Sequence, residues 1–476
     1  MTSPKLPPYR VLSEPALSFD HSNSAAVLTH PLRGLIKFGP YSKKAHTVLG
    51  SSIRVATIGP PVSFVRIAQL FHELNQPQKA QERRDYLPDY PGSEKTFGLQ
   101  IAPAPTQLRT ELPATLKDFS PTGFAGTAIA DAILRVLSQY ATQRDLFDVV
   151  AIYLPNAWEP AFRDGDFDLH DSIKAGAATL GIPTQLLNDD PWTYKCRASV
   201  AWRLSIALYS KFGGNPWKIA DIPHMRDTAY IGLAYARRGK PEEGNYVTCC
   251  SQVFDADGGG MQFVAFDVGD GVDLRNPFLN QEQMRSVMAR SIALYQRRNG
   301  GLLPRRVVIH KTNAFTDHEL AGAREALLGV KEVECVQVQT RVAWRAVKLN
   351  APRDPAKPGP KSLPDGYPVQ RGTIVHLSGR SVLLWTGGNT PDPVSRRSYF
   401  QGGNSIPGPL LLTRFAGRGD LEEMALEVLA LTKMDWNNDA LFDPLPVTLK
   451  YSQTLAKVIS HAPALGNQAY PYRLFM

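Results

Sequence analysis

Hydrophobic and polar positions follow two different orders along the chain. In the first, apolar runs alternate with helical spacings. Ile53 to Ile58 reads as a strand, Gly59-Pro60-Pro61 breaks it, and Val65, Ala68, Leu70 and Phe71 then recur at helical intervals. Val149 to Leu154, entered at Asp148 and ended by Pro155, is a continuous apolar run, the mark of a buried strand. Asp168 to Leu180 predicts a helix with Ile173, Ala177 and Leu180 on one face and Gly181 as its stop; Ile182 to Leu187 predicts the next strand. Ser199 to Phe212 predicts another helix, with Trp202, Ile206 and Tyr209 toward a core and Gly213-Gly214 ending it. Strands alternating with helices predict a doubly wound parallel α/β domain that ends near Lys218. The stretch to about Gly50 reads as loops and short strands, and residues 76–120, rich in charge and proline, as a surface excursion.

Beyond Lys218 the order changes. Tyr230 to Tyr235 reads as a strand, and Tyr246 to Phe254 and Met261 to Val268 as a hairpin around Asp255-Ala256-Asp257-Gly258-Gly259-Gly260. Gln281 to Arg298 predicts a long amphipathic helix and Arg306 to His310 a buried strand. Thr316 to Leu328 predicts a helix whose first turn carries Asp317 and Glu319, as the helix dipole favours. Three antiparallel strands, a helix, a strand, a helix and a further strand make the order of an RNase H-like fold. Residues 350–366, rich in Pro and Lys, read as an exposed loop, Gly372 to Gly388 as a second hairpin, and Leu421 to Leu431 and Leu449 to Ile459 as helices. The terminus Tyr470-Pro471-Tyr472-Arg473-Leu474-Phe475-Met476 is apolar, which fits a docked tail.

Composition narrows the class. The 476 residues suffice for two or three domains, and the net charge of +9 suits a polyanionic partner such as nucleic acid. Cys196, Cys249, Cys250 and Cys335 include no CxxC pair, so reduced buried thiols are expected rather than a zinc cluster. The N-terminus lacks the apolar core of a signal peptide, and no stretch reaches the ~20 apolar residues of a membrane span. A cytoplasmic location and no membrane partner are the expectation.

Candidate chemistry is of two kinds. RNase H-like nucleases hold two metal ions between carboxylates on the first and fourth strands. Here the first strand, Ala229 to Tyr235, has no acid, and the fourth ends His310-Lys311-Thr312-Asn313, again without one. Asp317 lies later, where a helix cap or a first-turn position is the plainer role. In the first half His170 and Lys174 are four residues apart on one helix, Gln185 falls on the next strand, and Lys211 closes the following helix. These groups could converge on one phosphate, lysine and histidine supplying charge and glutamine a neutral hydrogen bond. From spacing alone, solvated surface side chains are the favoured reading. There is no GxxxxGK[ST], HExxH or GxSxG; Gly258-Gly259-Gly260 reads as a turn, His72-Glu73 lacks a second histidine, and Asp164, Asp166 and Asp168 lack the glycine and glutamate of a calcium loop.

Three runs together resemble one family. Tyr209-Ser210-Lys211-Phe212-Gly213-Gly214-Asn215-Pro216-Trp217-Lys218-Ile219 resembles the MID–PIWI junction of Argonautes. Leu431-Thr432-Lys433-Met434-Asp435-Trp436-Asn437-Asn438-Asp439, followed by Pro444-Leu445-Pro446-Val447-Thr448, resembles the PIWI C-terminal signature, a run that reads as guide and target contact, as a packed turn, or as both. Leu35 to Tyr41 adds a third match, and His170, Lys174, Pro183-Thr184-Gln185 and Lys211 resemble the pocket that grips a guide's 5′-phosphate.

The resemblance implies an α/β chain with a Rossmann-like MID domain, preceded by an N-terminal segment, over residues 1–218, and an RNase H-like PIWI domain over 219–476. The length leaves no room for further N and PAZ domains, which points to short prokaryotic Argonautes. Two departures follow. Ala207 stands where long Argonautes carry a further lysine, and Arg203, one turn earlier, is expected to compensate. Ala234 and Thr312 occupy the places of two catalytic aspartates, and Gln453 that of a further ligand, so an inactive PIWI domain is expected. The family also implies that the C-terminal carboxylate, here Met476, helps hold Mg²⁺ beside the guide phosphate. The implied partners are a small guide RNA, a complementary single-stranded DNA target and an APAZ-containing effector whose attached domain is sirtuin-like, TIR or a nuclease, with an NADase favoured. The implied role is abortive-infection defence against plasmids or phage. A guide-dependent nuclease, a stand-alone target-blocking protein and a guide-free RNase H-like scaffold are the alternatives.

Overall fold

The computed structural model describes the chain except for residues 1–6, 43–50, 62, 114, 117–124, 239–245, 256–261, 268–277, 351–362, 365–367, 392–397, 401–404, 438–440, 462–464 and 466–468. The expected turn at Asp255 to Gly260 (but for Asp255 itself), most of the 350–366 loop, and Asn438 and Asp439 thus lie outside the described residues.

The first half is built on a parallel sheet. Its strands are β1 (Ser52–Gly59), β2 (Gln100–Pro103), β3 (Arg109–Glu111), β4 (Val149–Tyr153) and β5 (Thr184–Leu187). β5 pairs with β4 and β4 with β1, while β2 and β3 share the other edge of β1, all in parallel. Period-two alternation sends Ala56, Ile58, Val150 and Ile152 into one core and Ile53, Val55, Val149, Ala151 and Tyr153 into another. Both faces are therefore covered, as a doubly wound sheet requires. Helices α1 (Ser63–Asn75), α2 (Ala125–Ala141), α3 (Leu169–Thr179) and α4 (Arg197–Phe212) supply the cover.

Three expectations change here. Residues 76–120 are not a surface excursion: they contribute β2 and β3, and Tyr90, Phe97, Leu99 and Ile101 are buried at 2 % exposure or less. The strands are three and four residues long, too short for periodicity to show among their prolines and charges. Helix α2 has no counterpart in the sequence reading. On α1 the buried face is Phe64, Ile67, Leu70, Phe71 and Leu74, and Val65 is 66 % exposed.

The second half is one ten-stranded sheet. At its centre β6 (Thr228–Arg238), β7 (Tyr246–Asp255) and β8 (Gln262–Asp267) run antiparallel, and β6 pairs in parallel with β9 (Arg306–Lys311), which pairs in parallel with β10 (Glu332–Gln339). The spatial order 3-2-1-4-5 of these strands is that of an RNase H-like sheet. Beyond β10 follow strand Leu410–Ala416 and the hairpin Thr373–His376 and Ser381–Leu384. Ala229, Ile231, Leu233, Val307 and Ile309 face helices α5 (Gln281–Arg298) and α6 (Asp317–Ala326), while Tyr230, Ala234 and Val308 face α7 (Leu421–Leu431) and α8 (Val447–His461). A Cβ at Gly232 would sit 2.1 Å from the Thr448 carbonyl oxygen, so glycine lets α8 lie directly on β6.

Both chain ends join this sheet. Tyr9–Val11 pairs with Thr373–Val375 at one edge, and Ala469–Pro471 pairs with Gln262–Val264 at the other. The N-terminal segment is thus shared between the two halves rather than confined to the first. Cys196 and Cys335 are buried and unpaired, and no helix among the described residues is long and apolar enough to cross a membrane.

Candidate nucleic-acid interface

The three family-like runs, far apart in sequence, meet in space. Tyr41 N and Ser42 N donate to Pro216 O (3.0 Å) and Asn215 O (3.2 Å), and the Lys218 ammonium lies 4.6 Å over the Tyr41 ring. Trp217, 1 % exposed, donates from Nε1 to Lys433 O at 2.9 Å. Lys433 is itself buried and donates to Glu14 Oε1 (2.8 Å), Pro15 O (2.7 Å) and Thr29 O (2.5 Å), while Glu14 Oε2 accepts from Arg371 Nε (2.9 Å). Burial raises the Glu14 carboxyl, and the charges of Arg371 and Lys433 more than reverse this. Asp435 Oδ1 accepts from Tyr451 Oη (2.8 Å), and its other oxygen pairs with Lys450. Lys433 and Asp435 are therefore spent on holding the turn and the N-terminal segment in place.

The phosphate candidates do converge. Helix α3 begins at Asp168, whose Oδ1 accepts from Asp171 N (3.1 Å), and this cap sets His170 and Lys174 on the face toward β5. Lys174 is 1 % exposed; its Nζ donates to Thr184 O (2.7 Å) and to the terminal oxygen of Met476. Lys211, 2 % exposed at the end of α4, donates to Gln185 Oε1 (2.6 Å). The tail reaches Lys174 because Tyr472 stacks on Tyr451 (5.9 Å) and meets Trp436 edge-on (5.5 Å), leaving Leu474, Phe475 and Met476 buried.

His170, Gln185 and Arg203 line a cavity of about 820 Å³, together with Asn188, Tyr194 and Lys457. Lys174 does not line this cavity, and Lys211 lines a second one of about 360 Å³ with Pro183, Tyr470 and Arg473. Arg203 is exposed and makes no hydrogen bond or ion pair to any described residue, while Ala207, one turn on, is buried. Burial lowers the Lys174 amine to about 7 against the opposing pull of Asp171. Burial also drives Lys211 well below the usual lysine range, and repulsion from Lys174 and Arg203 adds to the shift. Two amines and a guanidinium that repel one another make a place that an anion would stabilise.

Sequence reasoning did not single out Asp171, Lys457 or His461 at this site. Asp171 is 1 % exposed and pairs with His170, Lys457 and His461. The last two lie on α8 of the second half, so no local pattern could have joined them to α3.

In the second half, the β6–β9 register ends at Leu233↔Lys311, which makes Ala234 and Thr312 the next facing positions. Ala234 is buried, Thr312 is half-buried with its carbonyl accepting from Gln337 Nε2 (3.1 Å), and Gln453 is exposed on α8. The nearby acid is Glu319. It accepts from Tyr235 Oη (3.1 Å) and Thr316 N (2.8 Å) and pairs with Lys311, both partners of that pair being fully buried. The reading of Glu319 as a first-turn dipole residue holds, with this buried pairing added to it.

No family model matches the sequence, and no curated protein matches it either. Solved structures do match in fold. Clostridium butyricum Argonaute bound to a guide DNA and a 19-mer target DNA superposes with a TM-score of 0.67 at 15% identity, covering 98% of this chain and 55% of that one. Aa-Ago with externally bound siRNA and A. aeolicus Argonaute each give 0.62, at 15% and 14% identity, covering 98% of this chain and 56% of theirs. The chain thus spans little more than half the length of the structures it matches, and over that span it has the MID–PIWI fold of an Argonaute.

Proposed function

We propose that this chain holds the 5′-phosphate of a small guide, RNA by resemblance, at the Lys174–Lys211–Gln185 cluster. The observation that carries the reading is the convergence of Lys174, Gln185, Lys211, Arg203 and the Met476 terminus, drawn from four segments, around one anion-demanding place. The guide would pair with a complementary single-stranded DNA target along the PIWI half. The protein would contact the backbone while base pairing reads sequence, as in other RNA-guided systems. The net charge of +9 supports salt-dependent backbone affinity. The Clostridium butyricum neighbour, solved with a guide DNA and a target DNA, supports guide-directed binding of nucleic acid.

Mg²⁺ fits the residues present in a limited way. Met476 offers the one terminal carboxylate, and Asp168 and Asp171 nearby are already engaged by Lys457 and His461. An ion here would take Met476 as its protein ligand and complete its shell with guide phosphate oxygens and water, as Mg²⁺ commonly does.

Ala234, Thr312 and Gln453 support a PIWI half that recognises its target without cutting it. A signal would then leave through a cytoplasmic APAZ-containing effector, an NADase by preference, in abortive-infection defence. The test is to co-express the chain with its genomic neighbour and sequence the co-purifying small nucleic acids from wild type and from Lys174→Ala/Lys211→Ala. Short 5′-phosphorylated guides in wild type, lost in the double variant, are expected. Their absence from both removes the guide reading.

A further inference from the structure

Asp171 gathers basic groups from both halves of the molecule. Its Oδ1 pairs with His170 Nδ1 at 3.0 Å, and its Oδ2 with His461 Nδ1 at 2.7 Å and Lys457 Nζ at 3.0 Å. His170 is its neighbour on α3, whereas Lys457 and His461 lie one turn apart on α8. Asp168, also buried, reaches Arg163 Nε (3.4 Å) and Lys457 Nζ (3.6 Å). Burial raises the Asp171 carboxyl, but bonds from His170, Lys457 and His461 bring it below the usual carboxylate range, so it stays an anion.

Asp168, Asp171 and His461 bring one ligand atom each within 4.8 Å of one another, a spacing that would suit a metal. The Lys457 ammonium already lies against both carboxylates, however, and Asp168 caps α3. The cluster carries its own cation.

His170 and Lys457 also line the 820 Å³ cavity, with side chains 53 % and 52 % exposed. A bond from His170 Nδ1 to Asp171 leaves Nε2 for a ligand. We propose that Asp171 is the positioning residue of this pocket: it fixes His170 from the first half and Lys457 from the second at the rim, so the cation set offered to a phosphate is complete only when α8 is docked on α3. This rests on the phosphate reading given above.

Simple electrostatics predicts the opposite sign, because removing a carboxylate near a phosphate should strengthen binding. The experiment measures the affinity of the full chain for one oligonucleotide carrying either a 5′-phosphate or a 5′-hydroxyl. Asp171→Asn is expected to reduce the phosphate-over-hydroxyl preference about tenfold, a loss on the scale of one charge-assisted hydrogen bond. Lys457→Gln should reduce it similarly, and the double variant should add little. Asp171→Glu should restore part of the preference. A preference in wild type that is unchanged or increased in Asp171→Asn overturns the proposal while leaving the phosphate reading intact. No preference in wild type overturns the phosphate reading itself. If Asp171→Asn does not fold, Lys457→Gln decides, since its side chain is half exposed: an unchanged preference there overturns the proposal equally.

Discussion

The ε-ammonium of Lys174 donates to the terminal oxygen of Met476, a residue 302 positions further along the chain. This bond ties helix α3 of the first half to the tail, and it makes the tail a structural part of the candidate site.

Deleting Leu474 to Met476 should therefore cost both stability and ligand preference. Each of the three buried side chains is worth about 1.5–3 kcal/mol, and Lys174 would lose one of its two main-chain acceptors. Calorimetry should show a clearly lower Tm and binding assays a lost 5′-phosphate preference. An unchanged melt would contradict the docked tail.

Acidity should act on the same place with a definite sign. Lys174 titrates at about 7 in the fold and at 10.5 when unperturbed. Between these values the unfolded chain binds more protons, so the free protein should gain stability as pH rises from about 7 toward 10.5. A bound phosphate favours the charged amine, so affinity for a 5′-phosphorylated oligonucleotide should fall over the same rise. The phosphate is already fully charged there, its second ionisation lying near 6. Denaturation and binding measured across this range check both halves; stability falling, or affinity climbing, contradicts the assignment.

Lys211→Met should separate stability from binding. The amine is 2 % exposed and, among the described residues, donates to the neutral Gln185 amide, with Lys174 and Arg203 repelling it. An apolar replacement of similar length removes that cost, and buried charges exchanged for packed apolar groups are neutral or gain about 1–4 kcal/mol. A raised Tm together with weakened phosphate binding is the expected pair of results.

Trp217→Phe should loosen the junction between the halves. It removes the donor to the Lys433 carbonyl and leaves that buried oxygen unsatisfied, at a cost of about 1–3 kcal/mol. Urea denaturation measures it; a change within error would show that packing alone holds the junction.

Much of this architecture was determined locally. The buried run at Val149, the capped helix from Asp168 and the glycine stops at Gly181 and Gly213 each specify their element through neighbours in sequence, and the structure places all of them where the pattern did. His170 and Lys174 are legible as candidates from their four-residue spacing on one helix, and Gln185 and Lys211 from the runs around them that resemble a known pocket. Strands β2 and β3, at four and three residues, are too short to show a period. Only the tertiary structure decided which candidates meet. Burial, which turned two ordinary-looking lysines into desolvated amines, depends on a tail and a strand that pattern cannot bring together. Asp171 stands in the first turn of α3, and Lys457 and His461, 286 and 290 residues away from it, give it partners that no local pattern shows.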